Sequence, residues 1–137
     1  LELLIIGKGS EKNIIDNFIK ENNLNNYVKI INYQNNIYPY LSKSDLFVLS
    51  SLYEGLPNVL IEALCSGVKI ISSNCKSGPR EILKQGKLGK LFKIGDYKKL
   101  ANLINKTKIP YKKTPVIDKR FNFHSNLLEY KKLLLSL

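Results

Sequence analysis

Apolar residues along this chain gather in short blocks, separated by longer stretches in which they recur every three or four positions. The blocks Leu1–Ile6, Val28–Ile31, Leu46–Leu49, Lys69–Ser72 and Lys90–Phe92 predict β-strands, each an apolar run of the kind found in sheets covered on both sides. Helical spacing predicts helices over Ser10–Glu21, Ile37–Lys43, Pro57–Ser66, Pro79–Lys84 and Tyr97–Asn105. Alternation of the two is the pattern of an α/β fold, an open parallel sheet with helices on both faces. Gly7, Gly67 and Gly86 punctuate the turns, and Gly67 stands where a helix C-terminal cap is expected. Residues 1–105 thus read as a core, residues 106–120 as a Lys- and Pro-containing connection, and residues 121–137 as a C-terminal helix. Phe123, Leu127, Leu128, Leu133 and Leu134 fall on or near one face of that helix, and part of this apolar face is expected to stay exposed.

A length of 137 residues fits a single domain able to bury its own core, and 44% hydrophobic with 24% charged residues is ordinary globular usage. The formal net charge of +11 raises the class of nucleic-acid binders. Against it, the lysines are scattered, arginine occurs only at positions 80 and 120, and aromatic and basic residues do not interleave. Lys98, Lys99, Lys106, Lys108, Lys112, Lys113, Lys119 and Arg120 concentrate in the last third, a charge suited either to plain solvation or to an anionic membrane surface. Cys65 and Cys75 lack metal-site spacing and read as free thiols. With His124 as the sole histidine and no Asp-x-Asp pair, no metal site is expected. The chain carries no signal peptide and no run of eighteen apolar residues, so a soluble domain is expected.

Chemistry concentrates in Ser51-Leu52-Tyr53-Glu54-Gly55-Leu56-Pro57-Asn58-Val59-Leu60-Ile61-Glu62-Ala63-Leu64. Gly55 permits an unusual backbone turn, Pro57 is pre-set for a first helical turn, and Val59, Leu60, Ile61, Ala63 and Leu64 carry the helix into a core. Glu54 lies on the loop before the helix and Glu62 about a turn and a half inside it. Between them the N–H groups of Asn58, Val59 and Leu60 are expected to be free, at the positive end of the helix dipole, to bind phosphate oxygens, while the carboxylates accept hydrogen bonds from hydroxyls. A nucleotide-sugar has this layout of groups. The plainer alternative makes Glu54 an N-terminal helix charge and Glu62 a solvated helix residue.

Two further loops fall at the carboxyl ends of predicted strands, the edge where open α/β sheets bind ligands. Asn32-Tyr33-Gln34-Asn35-Asn36 is either a base-binding loop, with Tyr33 against one face and Gln34 at the polar edge, or an ordinary Asn-rich turn. Ser77-Gly78-Pro79-Arg80-Glu81 opens a helix, with Ser77 or Gly78 as its expected cap. Gly7-Lys8-Gly9 also joins a strand to a helix. It lacks the third glycine of a dinucleotide fingerprint, Lys12 standing there, and the next strand ends in Ile30-Ile31-Asn32 without an acidic ribose ligand, so NAD binding is not expected.

As an ordered set these stretches resemble the retaining GT-B glycosyltransferases of family 4, the glycosyl transferases group 1, whose signature is two glutamates separated by seven residues in the setting Ser-x-x-Glu-Gly-x-Pro. Leu4-Ile5-Ile6-Gly7-Lys8-Gly9, Asp45-Leu46-Phe47-Val48-Leu49-Ser50-Ser51, Val68-Lys69-Ile70-Ile71-Ser72-Ser73, Ser77-Gly78-Pro79-Arg80-Glu81-Ile82-Leu83 and Gly89-Lys90-Leu91-Phe92-Lys93-Ile94-Gly95-Asp96 match in order and type, from residue 1 to about residue 105. The resemblance implies the Rossmann-like C-terminal, donor-binding half of such an enzyme, with the first strand-helix unit and its diphosphate-neutralising Arg and Lys missing. The fragment is then expected to be inactive alone, and the acceptor, a glycan or lipid-linked sugar, to be bound by a missing N-terminal half.

By the same resemblance Glu54 is the candidate catalytic residue, contacting hydroxyls of the transferred hexose. Gly55, Leu56, Pro57, Asn58, Val59 and Leu60 line the sugar and diphosphate, although Pro57 has no N–H to offer. Glu62 holds the ribose diol, and Tyr33 and Gln34 meet the base. The donor is expected to be a UDP-sugar, used without a metal or other cofactor, in the cytoplasm or at the cytoplasmic face of the membrane, for cell-envelope glycans such as lipopolysaccharide. The alternatives are a non-catalytic nucleotide-sugar-binding or scaffold domain, a non-hydrolysing UDP-sugar epimerase, and a basic nucleic-acid-binding domain.

Overall fold

The computed structural model describes residues 1–108 and 114–135, which divide into two compact units, Leu1–Ile37 and Tyr38–Leu137. In the first, β1 (Leu3–Ile6) leads through α1 (Lys12–Glu21) to β2 (Val28–Ile31), and the strands pair in parallel with Leu3 opposite Val28 and Ile6 opposite Ile31. Helix α1 buries Ile19. Leu3, Leu4, Ile14 and Phe18 remain exposed, so the two-sided cover predicted for every strand is not met by β1. An apolar run states what a strand tolerates on its faces; neighbouring elements decide what covers it.

The second unit runs α2 (Tyr38–Lys43), β3 (Leu46–Leu49), α3 (Asn58–Ser66), β4 (Lys69–Ser73), α4 (Pro79–Ile82), β5 (Lys90–Phe92) and α5 (Tyr97–Lys106), then a 3₁₀ turn (Lys119–Phe121) and α6 (Phe123–Leu135). Strands β3, β4 and β5 pair in parallel in that order. Hydrogen bonding therefore gives two sheets instead of the single predicted one. The core of this unit is Ile70 and Ile71 of β4, Leu60, Ala63 and Leu64 of α3, and Ile82 and Leu83 at the end of α4, all buried.

Local chemistry sets the helix ends. Asp96 caps α5, its Oδ1 accepting from the Lys99 N–H at 2.9 Å. Gly67 ends α3 in the left-handed region, with φ of 72°. It is needed twice over, because a Cβ there would lie 2.8 to 2.9 Å from backbone atoms of Thr114 and Pro115. The segment after α5 is thus laid against the end of α3, where the Val116 N–H donates to the Leu64 carbonyl at 2.9 Å.

The predicted connection 106–120 is also anchored at its far end. Asp118 forms ion pairs with Arg120 at 2.9 Å and Lys84 at 3.1 Å, and Arg120 donates to the carbonyls of Glu81 and Ile82 where α4 ends. The hydrogen bonds from the Arg120 side chain, then from its backbone, hold the Asp118 carboxyl well below the usual carboxylate range. A group depressed in this way stabilises the fold at any pH above its unfolded value of about 3.9, and that contribution is lost as pH falls through the folded value. Asp118→Asn is therefore expected to lower Tm by a constant amount from neutrality down to about pH 5, with the gap closing below about pH 4. Melting curves followed by circular dichroism across that range check this, and a gap that persists unchanged into acid would contradict it.

Helix α6 leaves Leu127, Leu128, Leu134 and Leu135 exposed, in line with the apolar surface expected there. The side chains of Phe123 and Leu133, named with that face, lie outside the described residues, as do Lys112 and Lys113 of the basic cluster. Among the described residues no helix is long and apolar enough to cross a membrane.

Candidate functional site

Parallel pairing places the carboxyl ends of β3 and β4 side by side, with Leu49 opposite Ser72. The loops that follow, residues 50–57 before α3 and residues 74–78 before α4, consequently leave the sheet at one edge, the ligand-binding edge of open α/β sheets. Glu54 is half-buried in the first loop, and its Oε1 accepts from Ser51 Oγ at 2.6 Å. Glu62 is half-buried on α3. The Tyr38 hydroxyl is pushed above its usual range by burial first, then by Cys65, with the Glu62 carboxylate adding least.

The start of α3 corrects three expectations. Pro57 is the residue before the helix, with φ −72° and ψ 92°, so Asn58 is the first helical residue. The Leu60 N–H is not free: it donates to the Pro57 carbonyl at 2.9 Å, and the Leu60 side chain is 0% exposed. One turn of the new helix closes on Pro57, which removes Leu60 from the anion-binding set and makes it core. Among the described residues, the N–H groups of Gly55, Leu56, Asn58 and Val59 have no hydrogen-bond partner. Finally, Gly55 does not adopt a positive φ, and nothing lies within 4 Å of where its Cβ would be. The glycine that the loop requires is Gly78, with φ of 86° and with Gly55 and Pro57 packed against it.

Serine and cysteine side chains hold this loop in place, a role that residue spacing did not signal. Ser73 Oγ donates to the Ser51 carbonyl at 2.7 Å, Cys75 Sγ donates to the same oxygen at 3.1 Å, and Ser77 Oγ donates to the Glu54 carbonyl at 2.8 Å. Of the two caps expected for α4, Ser77 or Gly78, it is Gly78 that takes the position, with no side-chain cap, and the Ser77 hydroxyl is directed to the neighbouring loop. Cys65 and Cys75 are free, and Cys75 is buried in this hydrogen-bonding group.

Tyr33 and Gln34 belong to the other unit, at the carboxyl end of β2. Tyr33 is exposed, with Lys8 Nζ 5.8 Å from its ring centroid, and Gln34 Nε2 donates to the Asn32 carbonyl at 3.1 Å. One N–H of the Gln34 amide therefore serves its own turn, and the second N–H and Oε1 are the remaining hydrogen-bonding groups of that side chain. Gly7 and Gly9 have neither a positive φ nor close neighbours. A hollow of about 390 Å³ lined by Tyr38, Ile61, Leu64, Cys65, Val116 and Phe121, among others, includes neither glutamate nor the Gly55–Asn58 backbone. That hollow and the motif therefore do not coincide.

The family model for glycosyl transferases group 1 matches residues 1–113. An uncharacterised glycosyltransferase of Methanocaldococcus jannaschii is 48% identical over 82 residues, 60% of this chain and 20% of that one. Among solved structures, the apo form of the lipopolysaccharide outer core galactosyltransferase WaaB superposes with a TM-score of 0.78 at 26% identity, covering 98% of this chain and 40% of that one. A mutant of S. aureus TarM, crystallised with fondaparinux, alpha-GlcNAc-glycerol and UDP, superposes with a TM-score of 0.70 at 28% identity, covering 74% of this chain and 21% of that one. The chain thus spans between a fifth and two fifths of the length of these relatives. The match over most of its length, together with the Rossmann-like arrangement of parallel strands and flanking helices, shows that this chain belongs to the glycosyl transferases group 1 family.

Proposed function

We propose that this chain is the donor-binding half of a retaining hexosyltransferase that moves a sugar from a nucleoside diphosphate, UDP by preference, to a hydroxyl of a glycan or lipid-linked acceptor. The observation that carries the reading is the start of α3, where the unpartnered N–H groups of Asn58 and Val59 stand between Glu54 and Glu62 in sequence. Two N–H groups at the positive end of a helix suit a diphosphate, and they stabilise the negative charge that grows as the nucleotide leaves. Glu54, on the loop side, accepts from hydroxyls of the transferred sugar and helps to place its anomeric carbon. Glu62 holds the ribose diol.

In this reading the bond from the anomeric carbon to the diphosphate oxygen breaks while the acceptor oxygen bonds to the same face, and the acceptor proton passes to the leaving diphosphate. No protein nucleophile is required. Support for UDP comes from the TarM complex, which contains it. Tyr33 and Gln34 are assigned to the base, the acceptor to the remainder of the enzyme, and no metal is called for. Lys98, Lys99, Lys106 and Lys108 are exposed and suit an anionic cytoplasmic membrane surface, whereas Arg120 is committed to Asp118 and to two carbonyls.

Calorimetric titration with UDP, GDP, ADP and a short single-stranded DNA at two salt concentrations tests the reading. Saturable binding of one nucleotide, little affected by salt, is expected. Binding of DNA alone, with a steep salt dependence, would contradict it and favour a basic nucleic-acid surface.

A further inference from the structure

We propose that Ser77 and Gly78 are positioning residues that aim the backbone N–H groups of Gly55 and Leu56 into the donor site; the inference rests on the donor-site reading above. The argument starts from the planarity of the peptide bond. In a trans peptide the carbonyl and the following N–H point in opposite directions, so whatever fixes one fixes the other. Ser77 Oγ holds the Glu54 carbonyl at 2.8 Å, which turns the carbonyl of the Glu54–Gly55 peptide toward the β4–α4 loop and the Gly55 N–H away from it. The next peptide is fixed by packing. A Cβ on Gly78 would collide with the Gly55 carbonyl oxygen and come within 2.5 Å of Pro57 Cδ, so the Gly78 backbone is the wall against which that carbonyl rests, and the Leu56 N–H is set by the same means. The other end of the loop is pinned by Ser73 and Cys75 on the Ser51 carbonyl, and Ser51 in turn holds the Glu54 carboxylate.

Two N–H groups whose peptide carbonyls are both held by the β4–α4 loop, on the same loop as a carboxylate fixed by its own donor, form a rigid receptor for the hydroxyls of the sugar. Gly78 suits the task because its φ of 86° and the absence of a Cβ are both needed for so close an approach. Ser77 is exposed, and removing its hydroxyl takes nothing from the core.

The test compares wild type, Ser77→Ala, Ser77→Thr and Gly78→Ala in the full chain, measuring affinity for UDP and for UDP-glucose, Tm, and amide exchange at Gly55 and Leu56 without ligand. Ser77→Ala is expected to lose about threefold to tenfold in UDP-glucose affinity, the scale of one hydrogen bond, with UDP affinity and Tm nearly unchanged and exchange at Gly55 faster. Ser77→Thr, which keeps the hydroxyl, is expected to restore the affinity. Gly78→Ala is expected to lose more than tenfold and to melt lower as well. Unchanged UDP-glucose affinity and exchange in Ser77→Ala would overturn the proposal, as would an equal fall for both ligands that threonine does not rescue. If wild type binds neither ligand, the donor reading fails and this role fails with it, while the exchange data still report separately whether Ser77 restrains the loop.

Discussion

Glu62→Ala is expected to weaken UDP and UDP-glucose by the same factor, about tenfold to a hundredfold, the scale for hydrogen bonds made by a charged group. The equality follows from position. Glu62 stands on α3, assigned to the ribose, which both ligands carry, and not to the sugar, which only one carries. Its side chain is half-buried while Leu60, Ala63 and Leu64 on the same helix form the core, so truncation opens no cavity and Tm is expected to move little. Calorimetry with both ligands checks the ratio. A loss confined to UDP-glucose would move Glu62 to the sugar subsite.

Glu54→Ala is expected to give the complementary result. UDP affinity stays within about twofold of wild type, UDP-glucose affinity falls to that of UDP alone, and transfer by the full enzyme drops by about a hundredfold to a thousandfold in kcat, the range for loss of one preorganised transition-state contact. Glu54 lies on the loop, ahead of the N–H groups assigned to the diphosphate, and its carboxylate is fixed by Ser51 before any ligand arrives. Glu54→Gln keeps the bond from Ser51 and is expected to recover part of the loss. Equal falls in UDP affinity for Glu54→Ala and Glu62→Ala would refute this division of labour.

The elements were legible in the sequence because each is a local event. Apolar runs located β2, β3 and β5 to the residue and β4 to within one, and helical spacing located α1 to α5 with ends displaced by a residue or two. Pairing was less legible, since periodicity says that a residue lies in a strand without saying which strand lies beside it; hence one sheet was expected where β1–β2 and β3–β4–β5 pair separately. The connection at 106–120 hid its anchor for a similar reason. Asp118 and Arg120 look like ordinary polar linker residues until the chain brings them to the end of α4, beside Lys84.

At the candidate site the glutamates and the helix start were readable from Glu54, Pro57 and Glu62, but the distribution of N–H groups was not. Whether Leu60 or Asn58 is free depends on which residue caps the helix, a matter of one position that backbone angles decide. Gly55 drew attention as a glycine in a loop, yet the crowded position is Gly78, more than twenty residues away in sequence and adjacent only through the parallel pairing of β3 and β4. Ser73, Cys75 and Ser77 carried no sign of their role, because a hydroxyl or thiol that holds a neighbouring loop has no spacing of its own.

The central claim is that the N-terminus of α3 receives the donor's diphosphate, and titration of the isotopically labelled chain with UDP, followed through its backbone amide resonances, tests it most directly. The account predicts saturable shifts largest at Asn58 and Val59, with Leu60, whose N–H is already bound to the Pro57 carbonyl, moving much less. Saturable binding with the largest shifts among the lysines of α5 and the residues after it, and none at Asn58 or Val59, would contradict it.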